Sequence, residues 1–157
     1  MELSRSDPPA DASVAAFLEL HGTARVARLG ELVDATLLPA IVAEGSNGVL
    51  GVLTYVLDGD RCEVLTLHAS ERRRGVGTAL LQEVERISAE AGCRRLWLIT
   101  TNDNVDALRF YQRRCFRIVA FHPGAVDRSR ETLKPEIPEV GEYGIQVRDE
   151  IELEKDL

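Results

Sequence analysis

The chain has 157 residues, of which 45% are hydrophobic and 29% are charged, and its formal net charge is −7 at pH 7. These values are typical of a soluble globular protein, and the acidic balance disfavours a nucleic-acid partner, which would require a basic surface. The longest apolar run is far below the ~20 residues that span a bilayer, and the N-terminus lacks the apolar core of a signal peptide. We therefore expect a single cytoplasmic domain over residues 1–157, with no membrane partner.

The cysteines give no sign of a disulfide framework or of a metal site. Cys62, Cys93 and Cys115 are odd in number and widely separated, and the histidines have no ligand partners at a recognisable spacing. We expect all three thiols to be reduced and mostly buried, and we assign no metal.

The N-terminal part predicts one helix and leaves its neighbours open. Residues 1–10 are polar and contain prolines, and they either fray or include a short first strand over residues 2–5. Asp11 or Ser13 is a suitable N-cap for the following helix, and Gly22 is suited to end it. Residues 23–38 fit either a helix or a strand followed by a loop.

The next segment predicts an antiparallel meander of three strands. We expect strands at residues 41–43, 49–57 and 61–68, because each is apolar, rich in β-branched residues and bounded by turn residues. The Asp58-Gly59 pair between the last two is a typical hairpin turn.

A basic turn containing glycines follows the meander and precedes an amphipathic helix. The helix is expected over residues 76–91, after the turn Arg72-Arg73-Arg74-Gly75-Val76-Gly77. The first amides of a helix have no internal partner and lie at the positive end of its dipole, and glycine allows a ligand to approach the backbone closely. This stretch therefore predicts an anion-binding site.

The rest of the chain predicts two further strands around a helix, then a final strand. Strand 95–100 is continuously apolar, so we expect it to be buried on both faces and parallel to the strand before the basic turn. Asn102, Asp103 and Asn104 offer N-caps for a helix over residues 105–114, and strand 116–121 follows. Residues 122–143 form a long connection without a predicted element. From residue 150 to 157, apolar and acidic side chains alternate, which predicts a strand with one buried and one solvated face.

Two other phosphate-binding turns are excluded by their missing residues. A P-loop requires a Lys-Ser/Thr pair after its last glycine, whereas Thr78 and Ala79 follow Gly77. A dinucleotide-binding fingerprint requires a third glycine where Leu80 stands, and the chain has too few strand–helix repeats for a doubly wound sheet. An Arg-x-x-Gly-x-Gly turn after an antiparallel meander remains.

With this turn, the sequence resembles the GNAT superfamily of N-acetyltransferases. Arg72, Gly75 and Gly77 match the family's acetyl-CoA turn. A second match follows the family's Asn-x-x-Ala-x-x-x-Tyr-x-x-x-Gly-Phe spacing and consists of Asn104, Ala107, Tyr111 and Phe116. Cys115 stands where the family usually has glycine, so a positive φ at this position would cost about 1 kcal/mol.

The resemblance implies an α/β fold of the α+β type, with a mixed, mostly antiparallel twisted sheet flanked by helices. It also implies that a splayed parallel strand pair forms a cleft for acetyl-CoA, the co-substrate. Backbone groups of residues 65–67 would pair with the pantetheine arm, and the amides of residues 72–78 would hold the pyrophosphate. The cofactor-binding residues implied in this way are Leu65, Thr66, Leu67, Arg72, Arg73, Arg74, Gly75, Val76, Gly77, Thr78, Asn104 and Tyr111.

Two residues are candidates for the chemistry, and each has a structural alternative. Tyr111 would donate a proton to the departing thiolate, or it simply packs in the core with Leu108. Glu63 would act as the base, directly or through water, because it shares strand parity with Leu65 and Leu67; alternatively it is an ordinary solvated carboxylate. Asn104 contacts the pantetheine arm or only caps its helix.

Three functions remain open on the sequence. The first is direct transfer of an acetyl group from acetyl-CoA to a primary amine of a small-molecule or peptide acceptor in a ternary complex. The second is a non-catalytic acyl-CoA-binding sensor or interaction module of the same fold, and the third is an unrelated nucleotide-binding domain. Arg28, Glu31 and the connection after His122 are candidate elements of the acceptor pocket, and the final strand offers an edge for a homodimer.

Overall fold

The structure, a computed structural model, describes residues 1–70 and 74–157 and forms two compact units. The first unit consists of Met1–Val26, Asp34–Leu96 and Leu157, and the second consists of Ala27–Val33 and Trp97–Asp156. None of the helices in the described ranges is long and apolar enough to cross a membrane. The helices and strands are β1 (Glu2–Ser6), α1 (Ala12–Leu20), β2 (Arg25–Arg28), β3 (Glu31–Asp34), β4 (Ala40–Gly45), β5 (Gly48–Asp58), β6 (Arg61–Ala69), α2 (Val76–Glu90), β7 (Arg95–Thr101), α3 (Val105–Gln112), β8 (Arg117–His122), α4 (Ala125–Thr132) and β9 (Glu150–Asp156).

The sheet of the first unit is antiparallel over four strands in the order β1-β4-β5-β6. This arrangement confirms the predicted meander. It also shows that Glu2–Ser6 form the short first strand that the sequence left open. The start of β7 continues the sheet, since the amides of Arg94 and Arg95 both donate to the carbonyl of Asp60, just before β6. The strands β6 and β7 therefore begin side by side and run parallel, as predicted.

Two helices cover this sheet. Asp11 is the N-cap of α1, and its carboxylate accepts a hydrogen bond of 2.9 Å from the amide of Val14. The helix α1 packs on β5, and α2 packs on β4, β5 and β6. The predicted apolar stripe of α2 is buried through Leu80, Leu81, Val84 and Ile87.

In the second unit, β2 and β3 form a hairpin that resolves the ambiguous segment in favour of the strand. Its two-residue turn is Leu29-Gly30, and both residues have positive φ, 50° and 77°. The strand β9 lies between β7 and β8, and it pairs antiparallel with β8. The expectation that the final strand offers an edge for a homodimer is therefore wrong, because β9 has a neighbouring strand on both sides. The fold class predicted from the sequence, a mixed and mostly antiparallel sheet flanked by helices, is thus confirmed.

The long connection after β8 is ordered by side-chain hydrogen bonds within the second unit. The amide group of Asn102 donates to the carbonyl of Gln146 and accepts from the amides of Arg148 and Asp149, over 2.8–3.0 Å. Arg130 donates to three carbonyls of the connection, those of Ile137, Pro138 and Val147. The connection also contains α4, which the sequence did not predict, because its eight residues AVDRSRET are mostly polar and show no apolar periodicity.

Three expectations about burial were wrong. The strand β7 alternates between buried and partly exposed residues, so only one of its faces is buried; its apolar run does not indicate burial on both. In β9, Glu150 is buried rather than solvated, because α4 and the β2–β3 turn lie around it. Cys115 is exposed, whereas Cys62 and Cys93 are buried as predicted.

Candidate active site

The basic turn connects β6 with α2 in the first unit. Arg72 and Arg73 lie outside the described residues. Arg74 is exposed immediately before the helix, and Thr78 belongs to its first turn. The described elements on either side, the strand β6 and the helix α2, follow one another in the order that the sequence predicted.

Gly75 is the N-cap of α2 and adopts a left-handed conformation, with φ 78° and ψ 2°. A residue with a Cβ rarely adopts this conformation, which explains why glycine occupies the position. Gly75 provides no side-chain cap, and Ala79 donates the first helical hydrogen bond to the carbonyl of Gly75 over 2.9 Å. The amides of Val76 and Gly77 therefore precede the hydrogen-bonded turns, at the positive end of the helix dipole. This geometry suits an anion.

The strand β6 carries a β-bulge at Leu65. Thr66 pairs with Thr54 and Val64 pairs with Tyr55, so Leu65 has no partner in β5. A bulge shifts the side-chain alternation by one residue. Side chains of directly paired residues share a face, so beyond the bulge Leu67 lies on the face of Leu53 and Gly51. That is the face of α2, because a Cβ on Gly51 would lie 2.8 Å from Val76 Cγ1.

The bulge overturns the parity argument for Glu63. Glu63 pairs with Val56, so it lies on the sheet face opposite to that of Leu67, not on the same face. Its side chain is only 4% exposed, so it is not the solvated carboxylate that was the structural alternative. The hydroxyl groups of Thr66 and Thr54 are 2.7 Å apart on the face of Glu63.

His68 lies on the same face and was not identified from the sequence as a site residue. It pairs with Val52, two positions from Thr54, and its ring stacks on that of His21 with centroids 4.9 Å apart. Burial, with a smaller contribution from His21, lowers the pKa of His68 to about 4. The imidazole is therefore neutral at physiological pH and a weak base. No local pattern could have revealed it, because the contact depends on α1 crossing β5.

In the second unit, α3 carries the other predicted site residues. Asn104 is the N-cap of α3, and its side-chain oxygen accepts from the amide of Ala107 over 3.2 Å. The cap does not use the side-chain nitrogen. Tyr111 is 7% exposed, and its ring makes edge contacts with those of Phe110 and Phe116, with centroids 5.1 and 5.3 Å apart. Burial raises the pKa of the phenol, so Tyr111 is protonated at neutral pH.

Cys115 follows α3 with φ 70°, so the position does require the left-handed conformation that favours glycine. The predicted strain is therefore present at this departure from the GNAT pattern. Within the described ranges, no group of three or more His, Cys, Asp or Glu side chains could hold a metal ion.

The chain is similar to known proteins in sequence. The sequence matches the family model described as the acetyltransferase (GNAT) family over residues 7–115. The uncharacterised protein YdhI of Bacillus subtilis (strain 168) is 44% identical over 136 residues, which cover 86% of this chain and 84% of that protein.

Solved structures show the same fold. An IAA acetyltransferase from Bacillus cereus ATCC 14579 superposes with a TM-score of 0.76 at 23% identity and covers 99% of both chains. A Bacillus subtilis acetyltransferase in complex with CoA gives a TM-score of 0.72 at 17% identity, over 99% of this chain and 98% of that one. The family model matches more than half of the length of this chain, so the chain belongs to the GNAT family of acetyltransferases.

Proposed function

We propose that this protein transfers the acetyl group of acetyl-CoA to a primary amine of a small molecule or peptide by direct attack in a ternary complex. The observation that carries the proposal is the N-terminus of α2, where a left-handed glycine precedes amides suited to a diphosphate. The structure of the Bacillus subtilis acetyltransferase in complex with CoA, which has the same fold, supports acetyl-CoA as the co-substrate. The proposal includes that both units act as one cytoplasmic domain.

Backbone groups do most of the cofactor binding in this proposal. The amides of Val76 and Gly77 hold the diphosphate together with Thr78, and the basic residues of the turn (Arg72, Arg73 and Arg74) donate charge-assisted hydrogen bonds to it. The backbone of residues 65–67 pairs with the pantetheine arm. The side-chain nitrogen of Asn104, which its cap does not use, donates to the same arm.

Positioning contributes more than base catalysis to such a reaction. A primary amine has a pKa of about 10.4, so only about one molecule in a thousand is neutral at pH 7, which costs about 4–5 kcal/mol. Holding the amine against the thioester can contribute about 7–11 kcal/mol. A weak or water-relayed base is therefore sufficient.

Tyr111 and Glu63 are assigned to the proton transfers. The amine nitrogen attacks the thioester carbon, the C–S bond breaks, and the leaving thiolate takes the phenol proton of Tyr111. Glu63 accepts the proton of the amine, directly or through water. Glu63 is buried, so it does not serve merely as a solvated surface charge. An unaltered pH–rate profile of the Glu63→Gln variant would exclude Glu63 as the base.

The experiment that tests the function combines calorimetry with an assay of thiol release. CoA and acetyl-CoA are titrated into the purified chain, and acetyl-CoA consumption is followed with a panel of primary amines. Binding of both nucleotides with amine-dependent thiol release is expected. Binding without release would indicate the non-catalytic module, and absence of any binding would refute the cofactor assignment.

Two glycines at opposite ends of α2 provide a matched pair for this test. Gly75 has φ 78° and Gly92 has φ 87°, and an added Cβ would meet nothing within 4 Å at either position. Replacement by alanine therefore costs about the same strain, roughly 1 kcal/mol, in both variants. Only Gly75→Ala is expected to raise the Kd of CoA, by about tenfold or more, because its strain falls on the amides that are proposed to bind the diphosphate. Equal Kd values for the two variants would argue against this turn.

A further inference from the structure

A cavity of about 350 Å³ lies within the second unit, and no role in the proposed cofactor site involves it. It is bounded by the β2–β3 turn, the end of β8, the start of β9 and one face of α4. Its size is within the range of small-molecule sites. The residues that line it are Leu29, Gly30, His122, Ala125, Arg128, Ser129, Thr132, Leu133 and Glu150.

A buried carboxylate forms part of its wall. Glu150 is 2% exposed, and its Oε1 accepts a hydrogen bond of 3.0 Å from the amide of Leu29. His122 is its direct partner across β8 and β9, so both side chains lie on one face. The Nε2 atom of His122 is buried without a hydrogen-bond partner in the described structure. Burying a carboxylate or an unpaired ring nitrogen costs free energy, because the group loses its hydrogen bonds to water. A ligand that offers hydrogen-bond donors would offset that cost.

The cavity also carries positive charge. The groups whose charges act on Glu150 are His122, Arg28 and Arg128, and all three favour its ionised form. Burial has the larger, opposite effect and raises the pKa of Glu150. Arg28 pairs with Glu31 over 3.1 Å. Arg128 is exposed; its guanidinium donates to the carbonyl of Pro123 over 3.1 Å, which uses only part of its donor capacity.

A strained leucine closes one side of the cavity. Leu29 has φ 50°, a conformation that Asn, Asp or Gly adopts at lower cost in such a turn. Leucine is nevertheless present there, 40% exposed, and it lines the cavity with Leu133 and Ala125. The cavity thus offers an apolar surface beside one acidic and one basic group, which matches a small zwitterion rather than a simple cation or anion.

We propose that this cavity binds a small amino acid, with the ammonium group on Glu150, the carboxylate on Arg128 and the side chain against Leu29 and Leu133. This binding does not depend on the proposed function, because it requires only residues of the second unit.

Three amino acids and their truncated analogues test the binding in the absence of acetyl-CoA. Leucine, methionine and phenylalanine are titrated into the full chain by calorimetry. Each is compared with its decarboxylated amine (for leucine, 3-methylbutylamine) and with its deaminated acid (for leucine, 4-methylpentanoate). We expect at least one amino acid to bind about tenfold more tightly than both of its analogues. No binding by any of the nine compounds at millimolar concentration, or equal binding of an amino acid and its amine, would overturn the proposal.

Two substitutions separate the charged contacts. Glu150→Gln retains an acceptor for the Leu29 amide but removes the charge, and it should weaken the amino acid and the amine by about tenfold while leaving the acid unchanged. Arg128→Gln should weaken the amino acid and the acid but not the amine. Matched controls are Glu152→Gln on β9 and Arg117→Gln on β8, neither of which lines the cavity. Similar losses in the controls would overturn the assignment of Glu150 and Arg128.

The inference about the cavity and the proposed function fail on different measurements. Thiol release with simple amines but no binding of amino acids would refute this inference and leave the proposed function intact. Loss of CoA binding in the unmodified chain would refute the proposed function, and the calorimetry on amino acids would still decide the cavity.

Discussion

The candidate site of the first unit is made of backbone groups, and those of the second unit are made of side chains. In the first unit, the candidate anion site consists of backbone amides after a left-handed glycine, all within a short continuous stretch of chain. In the second unit, the surroundings of Tyr111 and the cavity around Glu150 are formed by side chains that come together from distant segments. A backbone site is encoded by glycine positions and is visible in the sequence. A side-chain site depends on packing, so the motif around Tyr111 was visible in the sequence but the cavity around Glu150 was not.

This difference determines what a substitution changes. In the first unit, the shape of the backbone and its close packing should control cofactor affinity. In the second unit, Tyr111 should control turnover, and Glu150 should control the binding of an amino acid, both with little effect on cofactor affinity. Four substitutions test this contrast.

Gly51→Ala should have the largest effect on the first unit. The added Cβ would lie 2.8 Å from Val76 Cγ1 and 2.9 Å from the carbonyl oxygen of His68, and backbone cannot move cheaply. We expect the free energy of unfolding to fall by about 2–3 kcal/mol, together with weaker CoA binding because Val76 begins α2. Denaturant titration and calorimetry measure the two effects. In the control Gly45→Ala, the atoms nearest to the added Cβ belong to the flexible side chain of Leu50, so the substitution should cost less.

Tyr111→Phe tests the side-chain chemistry of the second unit. The variant removes the proposed proton donor and keeps the ring contacts with Phe110 and Phe116. Turnover should fall about tenfold or more, while the Kd of CoA stays unchanged. Tyr55→Phe removes another buried phenol, in β5, and should leave turnover unaltered. Unchanged turnover in Tyr111→Phe would remove this residue from the mechanism.

His68→Gln tests a buried side chain of the first unit through the pH dependence of the free energy of unfolding. The folded pKa of His68 is about 4, below the ~6.5 of an unfolded histidine, so its contribution to stability is present above pH 6.5 and is lost as the pH falls toward 4. Relative to the variant, the native chain should lose about 1–2 kcal/mol over this window, a figure reduced for the partial exposure of the ring. Parallel stability–pH curves for both proteins would contradict the burial of a neutral imidazole.

Cys115→Gly should have the smallest effect and leave both sites intact. Relief of the left-handed strain exceeds the entropy that glycine adds to the unfolded chain, so we expect a gain of about 0.5–1 kcal/mol. Thermal unfolding measures this gain. Cys115→Ser keeps the strain and should show none; an equal gain in both variants would point to the thiol rather than to φ.

Much of the fold followed from local patterns. The meander, the helix after the basic turn and the strand at β7 were predicted because hydrophobic periodicity and turn residues act over a few positions. The helix α4 was not predicted, because a polar segment becomes helical there only when Ala125, Val126 and Ser129 are buried by the rest of the unit. The strand signal of β7 was strong, but composition alone overstated its burial.

The sequence by itself determined the glycine-bearing turn, the order of the elements around it and the membership of the family, because these depend on neighbouring residues. Only the tertiary structure decided on which face Glu63 lies, since the bulge at Leu65 arises from the pairing of β6 with β5. The burial of Glu150 beside His122, and the hydrogen bond from the distant Leu29 amide to Glu150, were also visible only in the tertiary structure. The physical reason is that alternation along a strand predicts parity only while pairing is regular, and burial depends on segments far away in sequence.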